Sequence, residues 1–548
     1  MALKADDVPG RHPWDYEEDL LRILPGPTAG RVRRHALRTM TAALLAGIMI
    51  ATNGASAFAG ESDRHSGGEN GKPRVILMHD PELDDQNTLV RYLMYSNEFD
   101  TEGLVYASSG VHWAGDGKGT LWYVPGREYT RFGLNICPCT SWRWKPGERF
   151  INEAVDIYAQ VYPNLRRHAE GYPSPKELQS KIYTGNIEFD GDISKDSAGS
   201  NLIKESLLDN RPGPLYLLTG AGQSTIARAL KSIKDQYENT PKWSQIYKKV
   251  SQKAIIQSFG DQDGAYASYI GKNWPDIEFR QMSTSIWGYG ARNAVLPQDA
   301  KYLSAEWTKA NVSNVGPFGA FYRVWGDGKQ MVPGDIFDHF GFSGLTTAQL
   351  KAMGYIVWTP PQEKGSWISE GDTSIFMNLI DNGLRGYVDA GYGGWGGRNG
   401  NDTDPNGVSS SNYAASRWFG AAQQDFAARL QWTVTSRYAK ANHAPTAKVA
   451  GQLDRTVSRG QTVVLTGLTG DPDRDKVTSS WWQYKDADTY PGAVTINQLS
   501  RGQQQNVVKI RVPDDAAPGQ TIHLILQVTD SGSPALTSYQ RVVLTVRN

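Results

Sequence analysis

The hydrophobic period changes once along this chain, and that change limits the fold more than any other feature. Up to about residue 440, short apolar runs alternate with stretches of helical period. Runs at 74–78, 102–107, 215–218, 254–258 and 277–282 read as strands. Between them, a pattern through Leu89, Tyr92 and Leu93, and others over 226–233 and 265–270, read as helices, with a long closing helix over 418–438. Strands alternating with helices imply an open, mostly parallel sheet with helices on both faces, an α/β fold. Asn442-His443-Ala444-Pro445 reads as a linker, and beyond it the helical period is gone. Short alternating runs at 463–465, 510–512, 522–528 and 542–546, separated by turn residues, are the pattern of an all-β sandwich of about 100 residues. The expected order is an α/β domain over 74–441 and a smaller, immunoglobulin-like sandwich over 442–548.

The start of the chain reads as an export signal. Arg31, Arg33, Arg34 and Arg38 precede an apolar run over 40–50, and Ala57-Phe58-Ala59 fits a cleavage site, giving a signal peptide over 1–59. The run is too short for a stable membrane span. Arg33-Arg34-His35-Ala36-Leu37 loosely fits a twin-arginine signal. A polar, Gly-rich leader follows over 60–73. A secreted protein is therefore expected, extracellular or periplasmic. The two cysteines, in Cys137-Pro138-Cys139, supply no disulfide framework and lack the other ligands of a zinc site. A bridge over one residue reads as strained, so free or loosely paired thiols are expected. With 57 basic and 57 acidic residues the net charge is zero, which argues against a nucleic-acid polymer or an anionic membrane as the main partner. The many Trp and Tyr residues beside Gly suit either sugar stacking or a core.

The sharpest chemical feature is His79-Asp80-Pro81-Glu82-Leu83-Asp84-Asp85, directly after the first strand. Four carboxylates in six residues repel if buried without a cation. Loops after strands of an open α/β sheet are where ligands bind, and oxygen-rich clusters suit Ca²⁺. The residues alone equally allow a solvated acidic helix start.

This segment resembles the nucleoside hydrolase signature D-x-D-P-x-x-D-D, with Met78 in place of the first Asp and Glu82 where a glycine is usual. Four further segments, with the C-terminal stretch around Trp481-Trp482-Gln483-Tyr484, resemble the nucleoside-hydrolase-like domain and sandwich of secreted cellulose-binding proteins. They are Leu218-Thr219-Gly220-Ala221-Gly222-Gln223-Ser224, Gly260-Asp261-Gln262-Asp263, Glu370-Gly371-Asp372-Thr373 and Gly393-Gly394-Trp395-Gly396-Gly397-Arg398. The resemblance implies a Ca²⁺ site formed by Asp80, Asp85, Asp372 and a backbone carbonyl at Gln223 or Ser224. It also implies Asp80 as base for water and Asp84 as a grip on sugar hydroxyls. His112, Asp261, Asp263, Glu370, Trp395 and Arg398 complete the candidate substrate site, with Glu370, His112 and Asp261 as guesses for the leaving-group acid.

Each segment has a plainer reading. Asp261 and Asp263 suit helix caps, Thr219 to Ser224 a tight turn, Trp395 a core aromatic and Arg398 an ion-pair partner. In the second domain, Asp471, Asp473 and Asp475 form a D-x-D-x-D that fits either a solvated turn or a Ca²⁺ site between strands. Trp481 and Trp482 alternate in facing, one inward and one exposed. Two functions follow: a Ca²⁺-dependent hydrolase of N- or O-glycosidic bonds in a nucleoside or plant-polysaccharide sugar, or a non-catalytic binder of cellulose or other carbohydrate.

Overall fold

The computed structural model describes residues 71–282 and 284–547. The expected signal at 1–59 and all but the end of the leader lie outside the described residues. Among these, no helix is long and apolar enough to cross a membrane.

Six strands, β1 (Arg74–His79), β2 (Asp100–Tyr106), β3 (Ile182–Thr184), β4 (Leu215–Thr219), β5 (Ala254–Ser258) and β6 (Glu278–Gln281), form one sheet in the order β3-β2-β1-β4-β5-β6. Every pair is parallel. β1, β4 and β5 are buried at every position, which is why they read as unbroken apolar runs. The chain leaves β1 toward β2 on one side and returns to β4 on the other, so strand order reverses at β1. A ligand crevice is expected at the carboxyl ends of the strands beside such a reversal.

Helix α1 (Leu83–Met94) follows β1, α2 (Phe150–His168) precedes β3, α3 (Ser224–Tyr237) follows β4, and α4 (Phe419–Val434) closes the domain. The apolar run 265–270 forms a π-helical turn, Tyr266–Ile270, rather than an ordinary helix. β3 and α2 escape a reading of apolar runs: β3 is three half-exposed or exposed residues, and α2 buries one face only.

Cys137 and Cys139 form a disulfide, contrary to expectation: the chain turns tightly enough at Pro138 to bring their Cα atoms to 4.5 Å, inside the range a disulfide needs. The bridge closes a segment packed around Trp113, Tyr129, Trp142 and Phe337.

Two short strands, β7 (Asp402–Thr403) and β8 (Ser409–Ser410), pair with each other, and the strands after them form two four-stranded sheets. One is β10 (Asp454–Val457), β16 (Thr537–Val546), β15 (Thr521–Thr529) and β12 (Thr478–Gln483). The other is β13 (Ile496–Arg501), β14 (Gln505–Arg511), β11 (Thr462–Gly470) and β9 (Thr446–Val449). All pairs are antiparallel except β10 with β16. Trp481 points into the core, as alternation predicts. Trp482 is not free: it is half-buried, with its ring 6.0 Å from Trp418 of the α/β domain.

That contact belongs to a built domain junction. The buried Arg541 of β16 donates to the carbonyls of Leu384, Tyr392 and Gly393. Arg385 grips Asp454 through two hydrogen bonds. Gly383 has φ +83° and its Cα faces the Tyr539 carbonyl so closely that an added Cβ would lie 1.8 Å from that oxygen.

His523 accepts from Arg541 at 2.9 Å in this junction. Burial, then the charges of Arg541, Arg385 and Arg398, push its pKa down to about 3. A folded pKa below the unfolded value near 6.5 gives stability that is present above pH 6.5 and lost as pH falls, because only the unfolded chain takes the proton. The contribution lost by pH 5 is about 2 kcal/mol. His523→Gln is expected to reduce the difference in unfolding free energy between pH 8 and pH 5 by that amount; denaturant titrations at the two pH values check it.

Candidate metal centre

The loop after β1 carries Asp80 and Glu82, and the first turn of α1 carries Asp84 and Asp85. All four are nearly fully buried, none more than 7% exposed. Three other segments reach them. After β2, the Ser109 hydroxyl accepts from the backbone of Val111 and His112, a tight loop that sets the His112 ring against Asp80 (Nδ1 to Oδ1 3.2 Å) and Glu82 (3.8 Å). From the far part of the chain, Asp372 meets Asp85 and His79, whose donor atoms all lie within 4.8 Å of one another. His79 Nδ1 is 2.5 Å from Asp85 Oδ1, and Ser369 donates to Asp84 at 3.2 Å.

Two glycines make this approach possible. A Cβ on Gly220, after β4, would lie 2.4 Å from the Asp372 carboxyl carbon, and one on Gly371 would lie 2.4 Å from Asp84 Oδ2. The carboxylates therefore pack against bare backbone, which only glycine offers.

The electrostatics favour a cation. Burial, then Asp372, raises the Asp85 carboxyl well above its usual range. Burial, then the Asp84 and Asp80 charges, does the same to Asp372, and burial with the Asp84 charge to Glu82. Burial with the Asp80 charge lifts Asp84 to about 6. Asp80 is the exception: burial works against its charge, but His112, Ser109 and Arg143 outweigh it and hold the carboxyl below the usual value. His79 is pushed down to about 3, mainly by burial, so it is neutral and its Nε2 is buried with no hydrogen-bond partner. Clustered carboxylates that stay ionised only with difficulty are relieved by a divalent ion. The groups Glu82/Asp84/Asp85, His79/Asp85/Asp372 and Asp80/Glu82/His112 each have spacing that could hold one.

The other expected site residues are elsewhere. Gln223 caps α3, and its carbonyl accepts from Ala227 within the helix. The backbone N–H of Ser224 donates to Asp263. The Gly-rich loop meets the carboxylates through Gly220, three residues before Gln223. Asp263 accepts from the backbones of Ser224 and Ala265, and Asp261 from those of Tyr266 and Ala267, so both are occupied as turn and helix caps. Glu370 is fully buried in a two-pronged pair with Arg91 and also takes hydrogen bonds from Tyr322 and Thr373, which leaves no free oxygen for acid chemistry. Trp395 is 2% exposed, so its ring cannot offer a face to a sugar. Arg398 pairs with Asp402 and donates to the carbonyl of Asp486 in the sandwich, a junction role.

Residues that local sequence did not single out border the centre. Besides His79, Ser109 and Ser369, Arg143 stands close enough for its charge to act on Asp80 and Glu82. It is held by Asp335 and Glu128. A lone Arg in a Trp-rich loop carries no signal of this placement. The glycine-rich loop carries the signal for Gly220, three residues before Gln223.

With the geometry in place, comparison with known proteins identifies the family. The profile described as the nucleoside hydrolase-like domain of cellulose-binding Sde182 matches residues 74–399. The chain belongs to this nucleoside hydrolase-like, cellulose-binding family. The profile of the C-terminal domain of cellulose-binding protein Sde0182 matches residues 462–546, so the sandwich is also a family feature. Among solved structures, the chain is similar to a nucleoside hydrolase-related hypothetical protein from Saccharophagus degradans that is associated with carbohydrate metabolism. The two share 25% identity with a TM-score of 0.62, over 87% of this chain and all of that one. The chain also aligns with domains 4 and 5 of the S-layer protein SbsC, at 16% identity over 19% of this chain and 45% of that chain, TM-score 0.14. No curated protein matches the chain.

Proposed function

We propose that this chain is a secreted, Ca²⁺-dependent hydrolase that attacks the anomeric carbon of a nucleoside-like or plant-polysaccharide-derived sugar. The observation that supports this reading is the convergence of Asp80, Asp84, Asp85 and Asp372, from distant stretches of chain, beside the strand reversal at β1. Asp80, Asp85 and Asp372 would hold the calcium ion. When bound, such an ion lowers the pKa of a water molecule and fixes its position. Asp80, kept ionised by its neighbours, accepts the proton of that water. Asp84, oriented by Ser369, grips vicinal sugar hydroxyls. The ring carbon then develops oxocarbenium character as the leaving group departs. Of the three residues considered for protonating the leaving group, Glu370 and Asp261 are committed to other bonds, and His112 is the one at the carboxylates.

A second reading, a non-catalytic carbohydrate binder, is favoured by one observation: the carboxylates are almost wholly shielded from solvent in the described fold. A panel of nucleosides and plant polysaccharides separates the two. The enzyme reading expects release of free base or reducing sugar that falls at least about 1,000-fold in both Asp80→Asn and Asp85→Asn, the scale of losing a directly acting group. No turnover by the wild type, with pull-down on insoluble cellulose retained in both variants, would leave binding as the function.

A further inference from the structure

The D-x-D-x-D of the sandwich lies far along the chain from the acidic centre and is not used by the proposed function. Its surroundings reveal more than its spacing. Three pieces of chain gather at one end of the sandwich. One is the linker before β9, which contains Asn442 and His443. The second is the β11–β12 connection, which begins at Asp471. The third is the β15–β16 connection, which begins at Asp530. Strand register brings them together: Gly470 pairs with Thr446 and Thr478 with Thr529. Side chains complete the ring. Asp473 accepts from the backbone and ring of His443, and the neighbouring Asn442 donates its amide to Asp530 at 3.1 Å and to the Pro534 carbonyl at 2.8 Å.

Two oxygens in this ring lack partners. Asn442 is 6% exposed; its amide nitrogen is fixed by two acceptors, and its Oδ1 is buried with no hydrogen bond. Asp471 uses Oδ1 to accept from the backbones of Asp473 and Asp475, and its Oδ2 is buried with no hydrogen bond. A buried oxygen without a donor is costly, and two on residues that both adjoin Asp530 call for an explanation. The chain also makes room for the amide: a Cβ on Gly532 would lie 2.4 Å from Asn442 Oδ1. The available donors are carboxylate, amide and carbonyl oxygens, because the His443 ring is engaged by Asp473. Hard oxygen donors of mixed type suit Ca²⁺ rather than a softer or strictly octahedral ion.

We propose that Asp471 and Asn442, with Asp530 beside them, form a second Ca²⁺ site that fastens the interdomain linker to the loops of the sandwich. Its position explains what it would do. The carbonyl of Asn442 accepts from the Trp432 indole of α4, so an ion here ties the end of the α/β domain, the linker and two sandwich loops together.

The test is the number of Ca²⁺ bound, measured by equilibrium dialysis of the full chain after chelator stripping, for the wild type, Asp471→Asn, Asp85→Asn and the double variant. Asp471→Asn keeps an oxygen for the backbone donors, so folding is expected to persist; circular dichroism checks this. The expected counts are two, one, one and none. One ion in the wild type, lost in Asp471→Asn and kept in Asp85→Asn, supports this site and refutes the metal centre of the α/β domain. Counts that Asp471→Asn and, independently, Asn442→Ala leave unchanged overturn the proposal. A second readout is trypsin cleavage beside the exposed Arg437 and Lys440: Ca²⁺ is expected to slow it about tenfold or more in the wild type and not in Asp471→Asn, and equal protection of the two proteins also overturns it.

Discussion

Arg91→Met is expected to lower the unfolding free energy by about 3–5 kcal/mol, the usual cost of stranding one partner of a buried ion pair. Arg91 and Glu370 are both fully buried, and besides Glu370 the guanidinium donates to Gln423. Removing the cation leaves a carboxylate with no access to water. The pair also fixes the segment that presents Asp372, since Glu370 lies two residues before it and its backbone N–H is held by the Trp287 carbonyl at 2.7 Å. The second expectation follows: Arg91→Met weakens Ca²⁺ binding at Asp372 even where the protein remains folded. Arg91→Met combined with Glu370→Leu replaces the pair by apolar groups and is expected to recover most of the lost stability, since exchanging both partners is far less harmful than removing one. Denaturant titration of the two variants checks this. A double variant no more stable than the single one would contradict the account.

Gly220→Ala is expected to reduce Ca²⁺ affinity at the α/β centre on the order of 10–100-fold, the range associated with disturbing the support of a metal ligand. The new methyl carbon would lie 2.4 Å from the Asp372 carboxyl carbon and 2.7 Å from its Cβ, so the carboxylate must leave its seat. The charge of the site is unchanged, so the loss would report geometry alone. Calorimetric titration in an Asp471→Asn background isolates this centre from the second site. Equal affinity with and without the methyl would show that Asp372 does not need to sit where Gly220 leaves space.

Those two variants also mark what could be read from the sequence. The sheet was legible because buried parallel strands are unbroken apolar runs, and the acidic cluster because its four carboxylates are local. Asp372 was different. It reaches the cluster through Arg91 and Glu370, 279 residues apart, and no local pattern encodes such a pairing; only the resemblance to a known motif pointed there. The misplaced residues share a cause. Gly393-Gly394-Trp395-Gly396-Gly397-Arg398 has the same composition whether it lines a sugar groove or fills a domain junction, and Asp261 and Asp263 have the same spacing whether they hold a ligand or cap a turn. Burial decides between these readings, and burial is a property of the whole fold. The Cys137–Cys139 bridge was missed for a related reason, because the turn at Pro138 that brings the thiols together is a matter of backbone path rather than of residue type.

Asp402, beyond the family's Gly-rich segment, is fully buried and receives Arg398 and Arg417 from its own domain and the Tyr484 hydroxyl from the sandwich. Cutting the chain before β9 would therefore hydrate two arginines and a carboxylate that the intact molecule keeps dry, and would bare the backbone at Gly383. Neither half is a cassette that can be lifted out and assayed alone. Any carbohydrate binding or turnover is to be assigned by point changes in the undivided protein, because a deletion would damage the half left behind.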